Sequence, residues 1–237
     1  PGLPFLGQLH WTIAADPASD AALARLLDGA SGAATGPAEL WRHARPYLGL
    51  LAMTEADSDY FFGREAETAA TLGALADTPE SVALLIGNSG VGKSSLAQAG
   101  VIAALKRQAW PAQTISPWPT RFSESRRWCF LRMTPGEKPV EELVRQFENE
   151  WLYDATDPDA ERRRAGWVAN LMDGSSSLAG LMAATLKRLG EIGREAPSGF
   201  LVYVDQGEEL YVRAEASPRR RFSEILVEGA RDPRLSV

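Results

Sequence analysis

From Tyr60 onward two kinds of hydrophobic pattern alternate along the chain, and their alternation is that of an α/β protein. A helix-period stretch at about 64 to 77 precedes Ser81-Val82-Ala83-Leu84-Leu85-Ile86, an unbroken apolar run short enough for a buried strand. Ser94-Ser95-Leu96-Ala97-Gln98-Ala99 opens a helix whose apolar positions continue through Val101, Ile102 and Leu105 to about 108. A Pro/Trp-rich connection leads to a strand at Trp128-Cys129-Phe130-Leu131-Arg132-Met133. A helix is expected next, from about Pro139 to Trp151, with proline suited to its first turn. Helical patterns follow at about 158 to 172 and 177 to 194, and Phe200-Leu201-Val202-Tyr203-Val204 reads as a further buried strand ending on Asp205. The expected fold class is a three-layer α/β/α domain with a mostly parallel sheet.

The first 60 residues break this rhythm. Leu9 to Ala14 form an apolar stretch, and Ala21 to Leu27 a helical one with Ser19 or Asp20 as N-cap. One strand and one helix bury no core alone, so residues 1–35 are expected to be a remnant of a preceding domain, a short strand-helix appendage. A Ser-Gly-Ala-Ala-Thr-Gly-Pro run from Ser31 introduces the expected linker at 36–60, and the core is expected at 61–237.

Composition narrows the partners. The chain has 237 residues, 45% of them hydrophobic and 24% charged, and no apolar run approaches the roughly 20 residues of a membrane span. No charged-then-apolar leader opens it, so a cytoplasmic protein without a membrane partner is expected; starting at Pro1, it looks trimmed or processed. Cys129 is the single cysteine, and His10 and His43 lie too far apart for metal-ligand spacing, which argues against zinc and haem. A net charge of −6 argues against a broad nucleic-acid surface. Arg162-Arg163-Arg164 and Arg219-Arg220-Arg221 are expected on solvated helix faces.

The chemistry centres on Gly87-Asn88-Ser89-Gly90-Val91-Gly92-Lys93-Ser94-Ser95, which fits G-x-x-x-x-G-K-[ST] between an expected strand and an expected helix. Glycines let the backbone turn tightly enough to aim successive N–H groups, here from Asn88 to Ser94, at phosphate oxygens, and the helix N-terminus adds its dipole. Lys93 is expected to reach the β- and γ-phosphates and Ser94 to hold Mg²⁺. Asp205, at the carboxyl end of its strand, lies on the edge where open α/β sheets bind ligands and is expected to hold Mg²⁺ opposite Ser94. Glu208 and Glu209 follow at positions suited to polarising water, the alternative being that acids favour a helix N-terminus. Guanine is disfavoured, because none of Lys93, Lys106, Lys138 or Lys187 is followed two residues later by Asp, as the guanine-reading [NT]-K-x-D pattern requires.

Three separated motifs occur in order: Tyr60-Phe61-Phe62-Gly63-Arg64-Glu65-Ala66-Glu67, the phosphate loop with Ser-Ser-Leu-Ala-Gln-Ala-Gly, and Val204-Asp205-Gln206-Gly207-Glu208-Glu209-Leu210. Together they resemble the novel STAND family of bacterial signal-transduction NTPases, over residues 46 to 237. The resemblance implies a P-loop NTPase fold that binds ATP or ADP with Mg²⁺, with Phe62, Gly63 and Arg64 contacting the base. It also implies slow hydrolysis, in which Lys93, Asp205, Glu208 and Glu209 take part, and homo-oligomerisation that activates an attached effector, plausibly in bacterial defence. Gly207 departs from the family, which usually has Phe there. Leu235-Ser236-Val237 resembles the first half of the family's sensor strand, so the core is expected to be incomplete at its C-terminal side. The segment from Leu3 to Leu27 is similar to the closing strand and helix of TIR domains. Two readings compete with the switch: a nucleotide-holding scaffold without turnover, and a phosphotransferase or GTPase.

Overall fold

The computed structural model describes residues 48–49, 51–78, 81–111, 117–151 and 159–237, with residues 149–151 by backbone alone. They belong almost entirely to one compact unit, Leu50–Val237. The expected domain remnant at 1–35 and the first part of the expected linker lie outside the described residues.

Residues 51–60, read from sequence as the end of the linker, are held against the body of the unit. Thr54 donates its N–H and its hydroxyl to the Asp57 carboxylate, each at 2.8 Å, and starts a 3-10 helix at Glu55–Tyr60. Helix α1, Glu65–Asp77, follows. Helix α2 begins at Lys93–Ser95, widens to π winding over Leu96–Ile102 and returns to α over Ala103–Arg107. Arg107 clamps the 3-10 helix to it, donating at 2.7 Å to both Ser58 Oγ and Asp59 Oδ1.

The Pro/Trp-rich connection folds into two 3-10 turns, Thr120–Phe122 and Ser125–Arg127, around a chain of edge-on rings that runs from Trp110 through Trp118 and Phe122 to Trp128. Strand β1 is Trp128–Met133, helices α3, α4 and α5 are Pro139–Trp151, Ala160–Asp173 and Leu178–Glu191, and strand β2 is Gly199–Val204. A short α6, Glu209–Val212, helix α7, Ala216–Gly229, and strand β3, Leu235–Ser236, complete the unit.

The sheet has the order β1-β2-β3, all parallel, with Arg132 opposite Tyr203 and Phe200 opposite Leu235. Side chains alternate across it as strand geometry requires. Cys129, Leu131, Met133, Phe200 and Val202 point into a core completed by α3, α4, α5 and α7, including Leu143, Phe147, Leu171 and Phe222. Trp128 and Leu201 point the other way, towards Leu72 and Leu75 of α1 and Val101, Ile102 and Leu105 of α2. Helices thus cover both faces, and the three-layer α/β arrangement expected from the sequence is present.

The segment ahead of the phosphate loop differs from expectation. Val237 N–H donates to Ser81 O, and Ala83 N–H to Val237 O, both at 2.9 Å, the parallel pattern, so the segment lies beyond β3 and not beside β2. The Ser81 and Ser236 hydroxyls share a buried hydrogen bond of 2.7 Å at that junction. The expected buried strand Ser81–Ile86 is therefore paired only at its start. Leu84 and Ile86 are 81% and 85% exposed.

The arginine triplets also divide. Arg220 is exposed, but Arg221 donates to Leu171 O at 2.6 Å and pairs with Glu224, so it joins α7 to the end of α4 instead of facing solvent. Arg164 pairs with Glu148 of α3 at 2.7 Å, whereas Arg162 faces outward.

Candidate functional site

The loop between the unpaired segment and α2 is shaped by two glycines. Gly90 and Gly92 have φ of 81° and 84°, left-handed conformations that side-chain-bearing residues rarely adopt. They turn the backbone so that α2 starts at Lys93, whose first-turn N–H groups have no intrahelical acceptor and face outward from the loop. Leu96 N–H donates to Gly92 O at 2.8 Å and closes that first turn. Asn88, Ser89, Gly90 and Val91 are exposed around it. Lys93 Nζ folds back over the loop and donates to Gly87 O at 2.9 Å and Asn88 O at 3.1 Å. Its charge is thereby held at the mouth of the loop by two backbone carbonyls.

Ser94 Oγ donates to Asp205 Oδ1 at 2.8 Å across 111 residues of sequence. Asp205 stands there because its N–H continues the β1–β2 ladder one residue past β2, donating to Met133 O at 2.8 Å. Hydroxyl and carboxylate together are the hard oxygen donors that magnesium takes, so these residues fit the ion expected between them. Ser95 turns away, and its Oγ accepts from Met53 N–H at 3.0 Å. A groove of about 760 Å³ opens beside the pair, bordered at one end by Lys93, Asp205 and Glu208 and along its walls by apolar residues such as Leu84, Leu201 and Leu226.

The sequence model of the Novel STAND NTPase 1 family matches residues 46–237. The chain belongs to this family. No curated protein and no solved structure matches it. Membership makes it a nucleotide-binding signalling NTPase of the P-loop class. No described helix is long and apolar enough to cross a membrane.

The other expected site residues divide. Glu208 is exposed and borders the groove that Lys93 and Asp205 border. Glu209 is mostly buried and pairs with Arg213 at 3.4 Å, one turn along α6. The two acids therefore have different surroundings, although their sequence positions are nearly equivalent. Gln206, at φ of 53°, makes the turn between Asp205 and α6. A Cβ at Gly207 would meet nothing within 4 Å, so space does not demand glycine where the family usually has Phe.

Arg64 reaches the phosphate loop: its guanidinium donates to Val91 O at 3.0 Å and pairs with Glu67 at 2.8 Å. Gly63 N–H donates to Glu65 Oε1 at 3.0 Å, and the Phe62 ring is 70% exposed. Of the three residues at the start of α1, Arg64 borders the loop, and Phe62 presents an exposed aromatic face.

Three residues missed in the sequence complete the cluster. The Tyr203 hydroxyl lies beside Ser94 and Asp205. Burial, reinforced by the neighbouring Asp205 carboxylate, pushes its phenol up to about 12, so it is a neutral hydrogen-bonding group at physiological pH. Arg132 pairs with Asp205 Oδ2 at 3.4 Å, and Gln98 accepts from its other terminal nitrogen. A cation inside an otherwise apolar strand is a sequence signal that something polar lies beyond the end of that strand. Gln98 inside the helical apolar run gave no comparable signal.

Proposed function

We propose that this chain is the core of an ATP-dependent switch, binding ATP or ADP with Mg²⁺ at the phosphate loop and turning ATP over slowly. The observation that carries the reading is the Ser94–Asp205 hydrogen bond, which brings the two phosphate-site motifs together at the carboxyl edge of the sheet. Backbone N–H groups from Asn88 to Ser94 hold phosphate oxygens, and Lys93 exchanges the carbonyls of Gly87 and Asn88 for the β- and γ-phosphates. Ser94 and Asp205 hold Mg²⁺, which neutralises charge on the phosphates. Glu208 orients the attacking water and accepts its proton, because it borders the groove with Lys93 and Asp205 while Glu209 is committed to Arg213. Phe62, Gly63 and Arg64 flank the base, with Arg64 also bracing the loop at Val91.

As the family resemblance implies, the nucleotide state governs self-association and through it an attached effector, in bacterial defence. A γ-phosphate can bias such a change only through contacts that differ between states, and Lys93 and Glu208 are the residues placed to make them. Residues 1–35 are the end of the effector domain, 36–49 the link, and 50–237 the nucleotide-binding core, acting in the cytoplasm.

The test is thermal unfolding with and without Mg-nucleotide. At nucleotide about 100-fold above Kd the protein gains about 2.7 kcal/mol, and Lys93→Ala loses that gain while its nucleotide-free stability stays near the parent value. Glu208→Gln keeps binding, slows hydrolysis and holds the protein in one assembly state by light scattering; a parent protein without measurable turnover, whose assembly state is unchanged by Glu208→Gln plus Glu209→Gln, would instead favour a scaffold without turnover.

A further inference from the structure

Asp205 is doubly committed. One carboxylate oxygen takes the Ser94 hydroxyl and the other lies 3.4 Å from the Arg132 guanidinium. Ser94 and Asp205 are the residues that a bound cation needs, so a fixed positive charge already stands on one of its ligands. The Asp205 side chain is 15% exposed and that of Arg132 53%, so the arginine approaches from the solvent side on a long stem that can move without disturbing β1.

Arg132 is also aimed. One terminal nitrogen donates to Gln98 Oε1 while the other faces Asp205, so the planar fork is fixed at both tips. Gln98 is 1% exposed, yet its Nε2 has no hydrogen-bond partner among the described residues. A buried amide left half satisfied is costly, and local packing would be better served by an apolar residue of the same size. It lies in the π-wound part of α2, a winding that recurs at functional sites, one turn beyond Ser94. Its surviving bond accounts for its presence: it holds the guanidinium in line with Asp205.

We propose that Arg132, positioned by Gln98, is a latch on the cation site, which occupies Asp205 in the nucleotide-free protein and leaves it when Mg²⁺ binds. The latch rests on the assignment of Ser94 and Asp205 to the cation made above. Arg132 neutralises Asp205 while the site is empty and keeps the Ser94–Asp205 pair in place. When a divalent cation binds between these oxygens, the guanidinium is a like charge beside it and swings towards solvent. The metal must displace a built-in competitor, which raises the Mg²⁺ concentration needed to hold nucleotide. Arg132 is thus a positioning residue that couples the occupancy of the metal site to the outer end of β1.

The test is a Mg²⁺ titration of fluorescent ADP bound to the full chain, with the midpoint as readout and unfolding temperature measured alongside. Arg132→Gln should lower the midpoint about threefold or more, the range in which a partly exposed ion pair competes. Arg132→Lys, which keeps the charge but cannot bridge two partners, should fall between it and the parent. Gln98→Leu removes the unpaired amide and the aim together, and should lower the midpoint without lowering the unfolding temperature. A midpoint unchanged or raised in Arg132→Gln, with the parent protein binding normally, overturns the latch. If Arg132→Gln does not fold, Gln98→Leu decides by the same criterion. Parent protein that binds ADP equally well with Mg²⁺ and with chelator refutes the cation assignment itself, which is a different failure from an unmoved midpoint.

Discussion

The two faces of the sheet are built by different rules. Towards α3, α4, α5 and α7 the buried side chains are large and apolar, with Phe147 and Phe200 ring to ring at 5.6 Å and Leu143, Leu171 and Phe222 sealed around them. Towards α1 and α2 large apolar residues, among them Leu72, Val101, Leu105 and Phe122, are interleaved with small ones, Ala97, Ala99, Gly100, Ala103 and Ala104, and with buried polar groups at Thr68, Gln98 and Ser125. The first face supplies stability and contributes none of the phosphate-site groups. The second carries the phosphate loop, and its small residues and internal hydrogen bonds allow backbone to approach backbone where a ligand must be gripped. What the difference teaches is a division of labour: one face is apolar packing almost throughout, and the other adds to its apolar packing the small and polar residues that shape the loop.

The largest effect that tests this division is on the apolar face. Phe200 is fully buried against Phe147, and Phe200→Ala leaves a cavity there; the expected loss is about 3–5 kcal/mol in urea unfolding. Nucleotide affinity of the molecules that remain folded should stay within about twofold, as sites without shared partners behave nearly independently. A tenfold drop in affinity would mean that the two faces are not separable.

On the other face a smaller change should reach further. A Cβ at Gly100 would lie 2.6 Å from Thr68 Oγ1 and 3.2 Å from the Phe61 ring, and Thr68 Oγ1 in turn donates to Arg64 O at the start of α1. Gly100→Val is expected to cost about 1–3 kcal/mol by overpacking. It should also weaken nucleotide binding, because Arg64 moves with α1 and loses its hold on Val91 O. Gly73→Ala on the same α1 is the control: a Cβ there meets nothing within 4 Å, and replacing glycine in a helix should stabilise by up to about 1 kcal/mol and leave binding alone.

This contrast also explains what could be read from sequence. The apolar face announces itself by period, so β1 at Trp128–Met133 and α3 at Pro139–Trp151 occur where the alternation of residues placed them. The phosphate loop and Asp205 were legible because the chemistry requires glycines and an acid at fixed places around a strand and a helix. The buried face of helix α7 was not, since Arg219-Arg220-Arg221 masks the Phe222 and Ile225 that follow. Arg132, Tyr203 and Gln98 were missed for another reason. Their role lies in which strand end they share, and only the pairing of Arg132 with Tyr203 across β1 and β2 brings them to Asp205. The partial pairing of Ser81–Ile86 was hidden likewise, because a hydrophobic run reveals that a strand wants neighbours, not whether it has them.

The smallest expected effect lies at the point where the two motifs meet. Tyr203 is half-buried with its hydroxyl beside Ser94 and Asp205, so Tyr203→Phe removes a polar group but little apolar contact. The expected cost at pH 8 is about 0.5–1.5 kcal/mol. The sign of its pH dependence is set by the raised phenol. Between an unfolded value near 10 and a folded value of about 12, the unfolded chain has lost the proton and the folded protein keeps it. The folded state therefore binds more protons in that window, so stability is intact below pH 10 and drains away as pH rises towards 12. Phenylalanine has nothing to ionise, and groups elsewhere cancel in the difference between parent and variant. The deficit of Tyr203→Phe should thus shrink from pH 8 to pH 11 in paired urea titrations. An equal deficit at both values would place the Tyr203 hydroxyl in water, away from Asp205, and with it would go the claim that the second face is organised by buried polar contacts up to its edge.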